Sequence, residues 1–290
     1  MSDHVTVVGL GRMGRAIAKR LNAQGIKITA YNRSRSHDDE LIEAGMKVAS
    51  TAKEAVHPGA LVISTLTDEV AVREMFEGDS GLLRYMMGGV NLSVTTLSPK
   101  SALRLSDAHR NAGVTYISTP VQGRPSMAEI GQLVAWISGP TLGYREEIVL
   151  KHLTRSIINL GHDCQFASAA KLALNMLINA NIELFAEAFS YANMHGVDIG
   201  LFGNGITDTV FNSPIFQAII LGLNNPSDLA TGSDIAVSQK DLALFSEGVK
   251  ELNLPASKSI SNVFTDAVIQ GLGELDPVAI RRLFTVTSSS

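Results

Sequence analysis

A short β-branched run leads directly into three closely spaced glycines and then a helical pattern: Val5-Thr-Val-Val-Gly9-Leu10-Gly11-Arg12-Met13-Gly14. A strand followed at once by G-x-G-x-x-G and a helix constrains the fold more than any other feature of the chain. Gly9 makes the tight turn, Gly11 lets the backbone approach a pyrophosphate, and Gly14 lets helix and strand pack closely. The helix N-terminus then offers N–H groups and the positive end of its dipole to an anion. A second strand pattern at 26–31 completes a βαβ unit and places the motif at a dinucleotide site.

The pattern continues in the same style to about residue 160. Strands are expected at 5–9, 26–31, 61–66, 90–94, 114–118, 133–138 and 156–160, with helices at 12–24, 99–111 and 143–152. Strands alternating with helices predict an α/β fold: a Rossmann-type, doubly wound, mostly parallel sheet covered on both faces. After Gly161 the pattern changes to an all-α one, with helices expected at 199–210, 214–223, 235–251 and 257–272. The expected division is a dinucleotide-binding domain at 1–162 and a helical domain for substrate and dimerisation at 163–290.

Between these halves a helix of roughly 29 residues, 167–195, would run about 43 Å. Its apolar residues (Leu172, Leu174, Met176, Leu177, Ile178, Ile182, Leu184, Phe185, Phe189) spread around much of its circumference. A helix apolar on most sides must be buried on most sides. A domain of about 130 residues would struggle to cover it alone. A homodimer is therefore expected, with helices of each chain packed on the other.

Composition narrows the classes. With 45% apolar and 18% charged residues and a net charge of −4, the chain is neither disordered nor drawn to nucleic acid or anionic lipid. The longest apolar stretch is interrupted by asparagines and glutamates, so no membrane span is expected. No secretory leader is read at the N-terminus, and one cysteine, Cys164, fits a reducing, cytoplasmic setting. The histidines, from His4 and His37 to His195, show no ligand spacing, and no metal is expected.

The second strand ends in Asn32-Arg33-Ser34, where an NAD site commonly carries Asp or Glu. With no carboxylate there to repel a 2′-phosphate, Arg33 is expected to clamp it, with Ser34 and Asn32 as donors. The expected cofactor is NADP(H). Leu66 and Thr67, at the end of the 61–66 strand, are counted among the cofactor contacts, with Thr95.

Five stretches together resemble the β-hydroxyacid dehydrogenase family, which includes imine-reductase relatives. Val8-Gly-Leu-Gly-Arg-Met-Gly14 is similar to its opening motif and Thr95-Thr-Leu-Ser-Pro99 to its S-T-x-S-P segment. Thr119-Pro-Val-Gln122-Gly123 resembles its substrate loop, and Lys171-Leu-Ala-Leu-Asn175 its K-x-x-x-N catalytic helix. Lys240-Asp241-Leu242 resembles the lysine–aspartate pair that closes over the nicotinamide. The resemblance implies hydride transfer between NADP(H) and a small hydroxyacid or aldehyde. Lys171 and Asn175 would be catalytic, Thr95, Gln122 and Gly123 would bind substrate, and Lys240 would lie at the cofactor.

The residues bear on this independently. Lys171 sits in the apolar run FASAAKLALNMLI. It is either a snorkelling surface lysine or a desolvated one whose proton chemistry moves toward neutrality. Thr95 either contacts substrate or caps the following helix, and both roles are compatible. Arg124 departs from the family's second glycine and either binds a substrate carboxylate or faces solvent. Asn179, Glu183 and Glu187 continue the polar stripe beyond Asn175 and are expected on an interface or a solvated face. Three functions stay open: a hydroxyacid dehydrogenase or aldehyde reductase working through Lys171, an imine reductase, and a non-catalytic NADP-binding scaffold. Retention of Lys171 favours the first.

Overall fold

The computed structural model describes residues 4–34, 38–225, 227, 233–249 and 252–284. His37, and residues 250–251 where the helix expected at 235–251 would end, lie outside them. The chain divides into two compact units, Met1–Lys171 and Leu172–Ser290. The division between these two units falls inside the long helix.

The first unit is built on β1 (His4–Val8), β2 (Lys27–Tyr31), β3 (Lys47–Val48), β4 (Leu61–Ser64), β5 (Val90–Ser93) and β6 (Thr115–Ser118). These form one sheet in the order β3-β2-β1-β4-β5-β6, and every pair is parallel. Strand β4 is buried along its whole length, as a parallel strand covered on both faces must be. The helices of this unit are α1 (Arg12–Ala23), α2 (Asp38–Glu43), α3 (Ala52–Ala55), α4 (Glu69–Glu77), α5 (Pro99–Asn111), α6 (Pro125–Glu129) and α7 (Tyr144–Leu153). Helix α1 turns Ala16, Ile17, Ala18 and Leu21 to the core. Asp68 caps α4 and Ser98 caps α5 through their side chains; the cap of α5 is therefore Ser98 and not Thr95.

Two of the expected strands do not join this sheet. β7 (Val121–Gln122), β8 (Leu133–Ile137) and β9 (Thr154–Asn159) make a second sheet, with β7 antiparallel and β9 parallel to β8. An antiparallel bridge between Ser118 and Ser138 links the two sheets. Strands β3 and β7 have two residues each, too short for any period to mark them.

The long helix, α8 (Gln165–Met194), opens inside the first unit. Ala167 N donates to Ser138 Oγ at 2.9 Å, and the hydroxyls of Ser118 and Ser168 lie 3.3 Å apart. These contacts tie its first turns to the ends of β6 and β8, one strand from each sheet, and explain why Lys171 belongs with the first unit. His109 is fully buried on α5, its Nδ1–H donating to Leu105 O at 2.7 Å. Burial pushes its pKa down to about 4, so it is a neutral structural histidine.

The second unit is all helical: the rest of α8 with α9 (Ile199–Thr207), α10 (Pro214–Leu223), α11 (Ile235–Gly248) and α12 (Pro255–Ile269). Ile182, Phe185, Phe189, Ile220, Leu242 and Phe264 share its core. Phe185 stacks on Phe216 with ring centroids 5.0 Å apart. Among the described residues no helix is long and apolar enough to cross a membrane.

Candidate active site

The strand order reverses direction between β1 and β4, and doubly wound sheets bind ligands beyond the carboxyl ends of the strands at that point. Three hydrogen bonds lock the turn that follows β1. Gly9 N donates to Tyr31 O at 3.0 Å, Thr65 N to Val8 O at 2.8 Å, and Thr65 Oγ1 to Gly9 O at 2.6 Å. Gly9 has φ +87°, and a Cβ there would sit 2.3 Å from the Thr65 carbonyl oxygen. A Cβ on Gly14 would sit 1.9 Å from the Gly9 carbonyl oxygen. The protein's own packing therefore demands both glycines. Gly11 is different: apart from its chain neighbours and local helix backbone, nothing lies within 4 Å of where its Cβ would be. It is the N-cap of α1 and makes no side-chain cap bond. An open glycine at a helix N-terminus fits a pyrophosphate approaching the backbone.

A cleft of ≈ 470 Å³ lies over this turn. Of the expected cofactor residues, Gly9, Leu10, Gly11, Asn32, Arg33, Ser34, Leu66 and Thr67 line it. Arg12, Met13, Gly14 and Thr95 do not. Met13 packs on the core, and Thr95 is buried with Oγ1 accepting from Leu66 N at 2.9 Å, so it shapes the wall from behind. Asn32 also works locally: its amide spans Leu10 N, at 3.4 Å, and Ser34 O, at 3.0 Å. Sequence reading missed Tyr31, Thr65, Glu74, Met75 and Asp79 in the lining. The absence of a carboxylate holds only for β2 itself. Glu74 of α4 enters the same cleft, with Oε2 2.6 Å from Arg33 Nη1.

Lys171 is 8% exposed, so it is a buried lysine and not a snorkelling one. Its Nζ donates to Gln122 Oε1 at 2.7 Å. Gln122 ends β7 and precedes Gly123, whose φ of +135° turns the chain into α6. Arg124 stands at the N-cap of α6 with an exposed side chain.

In the second unit, Asn175 Nδ2 donates to Asp241 Oδ2 at 2.6 Å, and Lys240 Nζ lies 3.0 Å from Asp241 Oδ1. Asp241 is 4% exposed, so its charge is held by these two side chains. The polar stripe of α8 departs from expectation. Asn179 and Glu183 are each 5% exposed and buried within the chain, while Glu187 alone of the three is exposed. Burial and then the charge of Glu187 push the Glu183 carboxyl up to about 7. Among the described residues no cluster of three or more His, Cys, Asp or Glu side chains could hold a metal.

The family model for the NAD binding domain of 6-phosphogluconate dehydrogenase matches residues 4–161. The chain belongs to the β-hydroxyacid dehydrogenase family. A second model, the NAD-binding domain of NADP-dependent 3-hydroxyisobutyrate dehydrogenase, matches residues 166–284. This β-hydroxyacid dehydrogenase is 28% identical over 280 residues to an uncharacterized oxidoreductase, YfjR, of Bacillus subtilis (strain 168), covering 95% of this chain and 98% of that one. It is 27% identical over 282 residues to glyoxylate/succinic semialdehyde reductase 1 of Arabidopsis thaliana, covering 95% and 96%. The 3-hydroxyisobutyrate dehydrogenase (ygbJ) structure from Salmonella typhimurium shares the fold at a TM-score of 0.86, with 22% identity and coverage of 97% and 99%. The protein is an oxidoreductase that uses NADP(H).

Proposed function

We propose that this β-hydroxyacid dehydrogenase interconverts a small aldehyde or semialdehyde acid and its hydroxyacid, with Lys171 as general acid and base at the substrate oxygen. The observation that carries the reading is one buried lysine, 8% exposed, held at 2.7 Å by the glutamine of the substrate loop. NADP(H), when bound, supplies or accepts the hydride. Lys171 gives a proton to the oxygen as the carbonyl is reduced and takes it back on oxidation. Gln122 orients the Lys171 ammonium, and Gly123 lets the backbone approach the substrate closely. Arg124, exposed beside them, pairs with a substrate carboxylate. Asn175 and Lys240 are assigned to the same reaction on the family resemblance. At the other end of the cofactor, Arg33 and Ser34 take the 2′-phosphate, and Asn32 holds their loop against Leu10. The name of the Arabidopsis relative supports the substrate class.

Homodimer formation and a cytoplasmic setting complete the proposal. The outward face of α8 carries Leu177, Leu184 and Tyr191, which are 58%, 61% and 66% exposed. Seven-residue spacing keeps them on one face, drifting only about 20° per step. A stripe of this kind is suited to a second copy of itself.

The test is a panel of small carbonyl acids and cyclic imines followed by NADPH absorbance. Lys171→Met is expected to lower turnover of the best carbonyl by about 10²–10⁴-fold while NADPH affinity stays unchanged. Wild-type turnover in that variant would remove Lys171 from the chemistry. Faster turnover of imines than of any carbonyl would replace this reading with imine reduction. NADPH binding without turnover of any compound would favour the scaffold reading.

A further inference from the structure

The carboxylate that β2 lacks enters the cleft from another element. Many dinucleotide sites place an acid at the end of the second strand to accept the ribose 2′-hydroxyl. Here that strand is followed by Arg33, and Glu74 reaches it from α4, with Oε2 and Nη1 2.6 Å apart. Both residues line the cleft that also holds Gly9 and Gly11. Their side chains are 82% and 54% exposed, so core packing fixes neither. An ion pair this wet adds little to stability, and its members are free to take other partners. A 2′-phosphate draws the guanidinium fork of Arg33 and then stands beside the negative charge of Glu74. A 2′-hydroxyl needs an acceptor, which the Glu74 carboxylate offers.

We infer that Glu74 is a cofactor-discriminating residue: it competes with the 2′-phosphate for Arg33, repels that phosphate, and so lowers the NADP(H) over NAD(H) preference that Arg33 alone would give. The inference rests on the reading of Arg33 as the 2′-phosphate clamp. The chemistry is electrostatic, so the effect is local to the adenosine end of the cofactor and weakens with salt. Glu74 is a specificity residue under this assignment and takes no part in proton or hydride transfer.

Fluorescence titration of NADPH and NADH against the full chain tests it, using the wild type, Glu74→Gln and Arg33→Ala. Glu74→Gln keeps the side chain's size and removes its charge. It is expected to tighten NADPH binding by roughly three- to tenfold at low salt and to leave NADH binding unchanged or weaker. The gain should shrink toward nothing at roughly 0.5 M salt, where charges more than a few ångströms apart are screened. Glu74→Gln with unchanged or weaker NADPH binding overturns the inference, as does equal tightening of both cofactors. Arg33→Ala separates the two failures. If it leaves NADPH binding unchanged, the clamp reading itself falls. If it weakens NADPH binding while Glu74→Gln brings no gain, only the role of Glu74 falls.

Discussion

Gln122 ties Lys171 in place, and the pair shows how a neutral side chain serves a charged one. The ammonium is buried, and a buried charge needs acceptors. The Gln122 carbonyl oxygen provides one at 2.7 Å. A hydrogen bond to a charged group contributes about 1.5–3 kcal/mol. Gln122→Leu keeps the bulk and removes the acceptor, so turnover is expected to fall by about tenfold or more, with NADPH affinity unchanged. Gln122→Glu restores an acceptor and should recover turnover above the leucine variant. Steady-state rates beside NADPH titrations check both, and a leucine variant with wild-type turnover would remove Gln122 from the chemistry. At this scale the sequence named both members of the pair but not the bond between them. Lys171 and Gln122 are separated by 49 positions, and only folding brings the substrate loop against α8.

The long helix is where sequence expectation and structure part most usefully. Its polar stripe was expected on an interface or a solvated face, yet Asn179 and Glu183 are buried within the chain. Helical period marks which residues share a face, but it does not say which face the neighbouring elements cover. The Glu183 carboxyl, pushed up to about 7 from its ordinary 4.5 by burial and Glu187, binds its proton more tightly folded than unfolded. The stability it contributes is fully present below the unfolded value and is lost as pH rises through the folded one. Between about pH 4.5 and 7 this group therefore makes the fold progressively less stable. Glu183→Gln removes the titration. Thermal melting of the variant is expected to match the wild type near pH 4.5 and to exceed it by a few degrees near pH 8. A variant less stable than the wild type at the higher pH would show that the carboxylate is paired.

For the whole molecule the outer face of α8 carries the assembly proposal. Phe185 is only 8% exposed and stacks on Phe216 inside one chain. A charge there breaks the core of the chain itself, so Phe185 reports on folding and not on assembly. Leu184, 61% exposed, reports on assembly. Leu184→Glu is expected to convert a species of twice the chain mass into a folded monomer in sedimentation, because an unpaired charge buried at an interface costs several kcal/mol. A wild type that sediments as a monomer at all concentrations would reject the dimer.

Local patterns along the chain already specify the first βαβ unit, the glycine turn and its dinucleotide, the change to an all-helical second half, and the family. These are legible because they are local: β-branched runs, helical period and glycine spacing act over a few residues, where the chain's own sterics decide. Tertiary structure alone decided the rest. It split the expected strands between two sheets and added β3 and β7, two-residue strands that carry no period and exist only through their partners. It placed Thr95 behind the cleft, joined Lys171 to Gln122, and brought Glu74 to Arg33 across 41 positions. Charge and hydrogen bonding act through space with no regard to separation along the chain, so the partners of a functional residue stay unwritten in its neighbours.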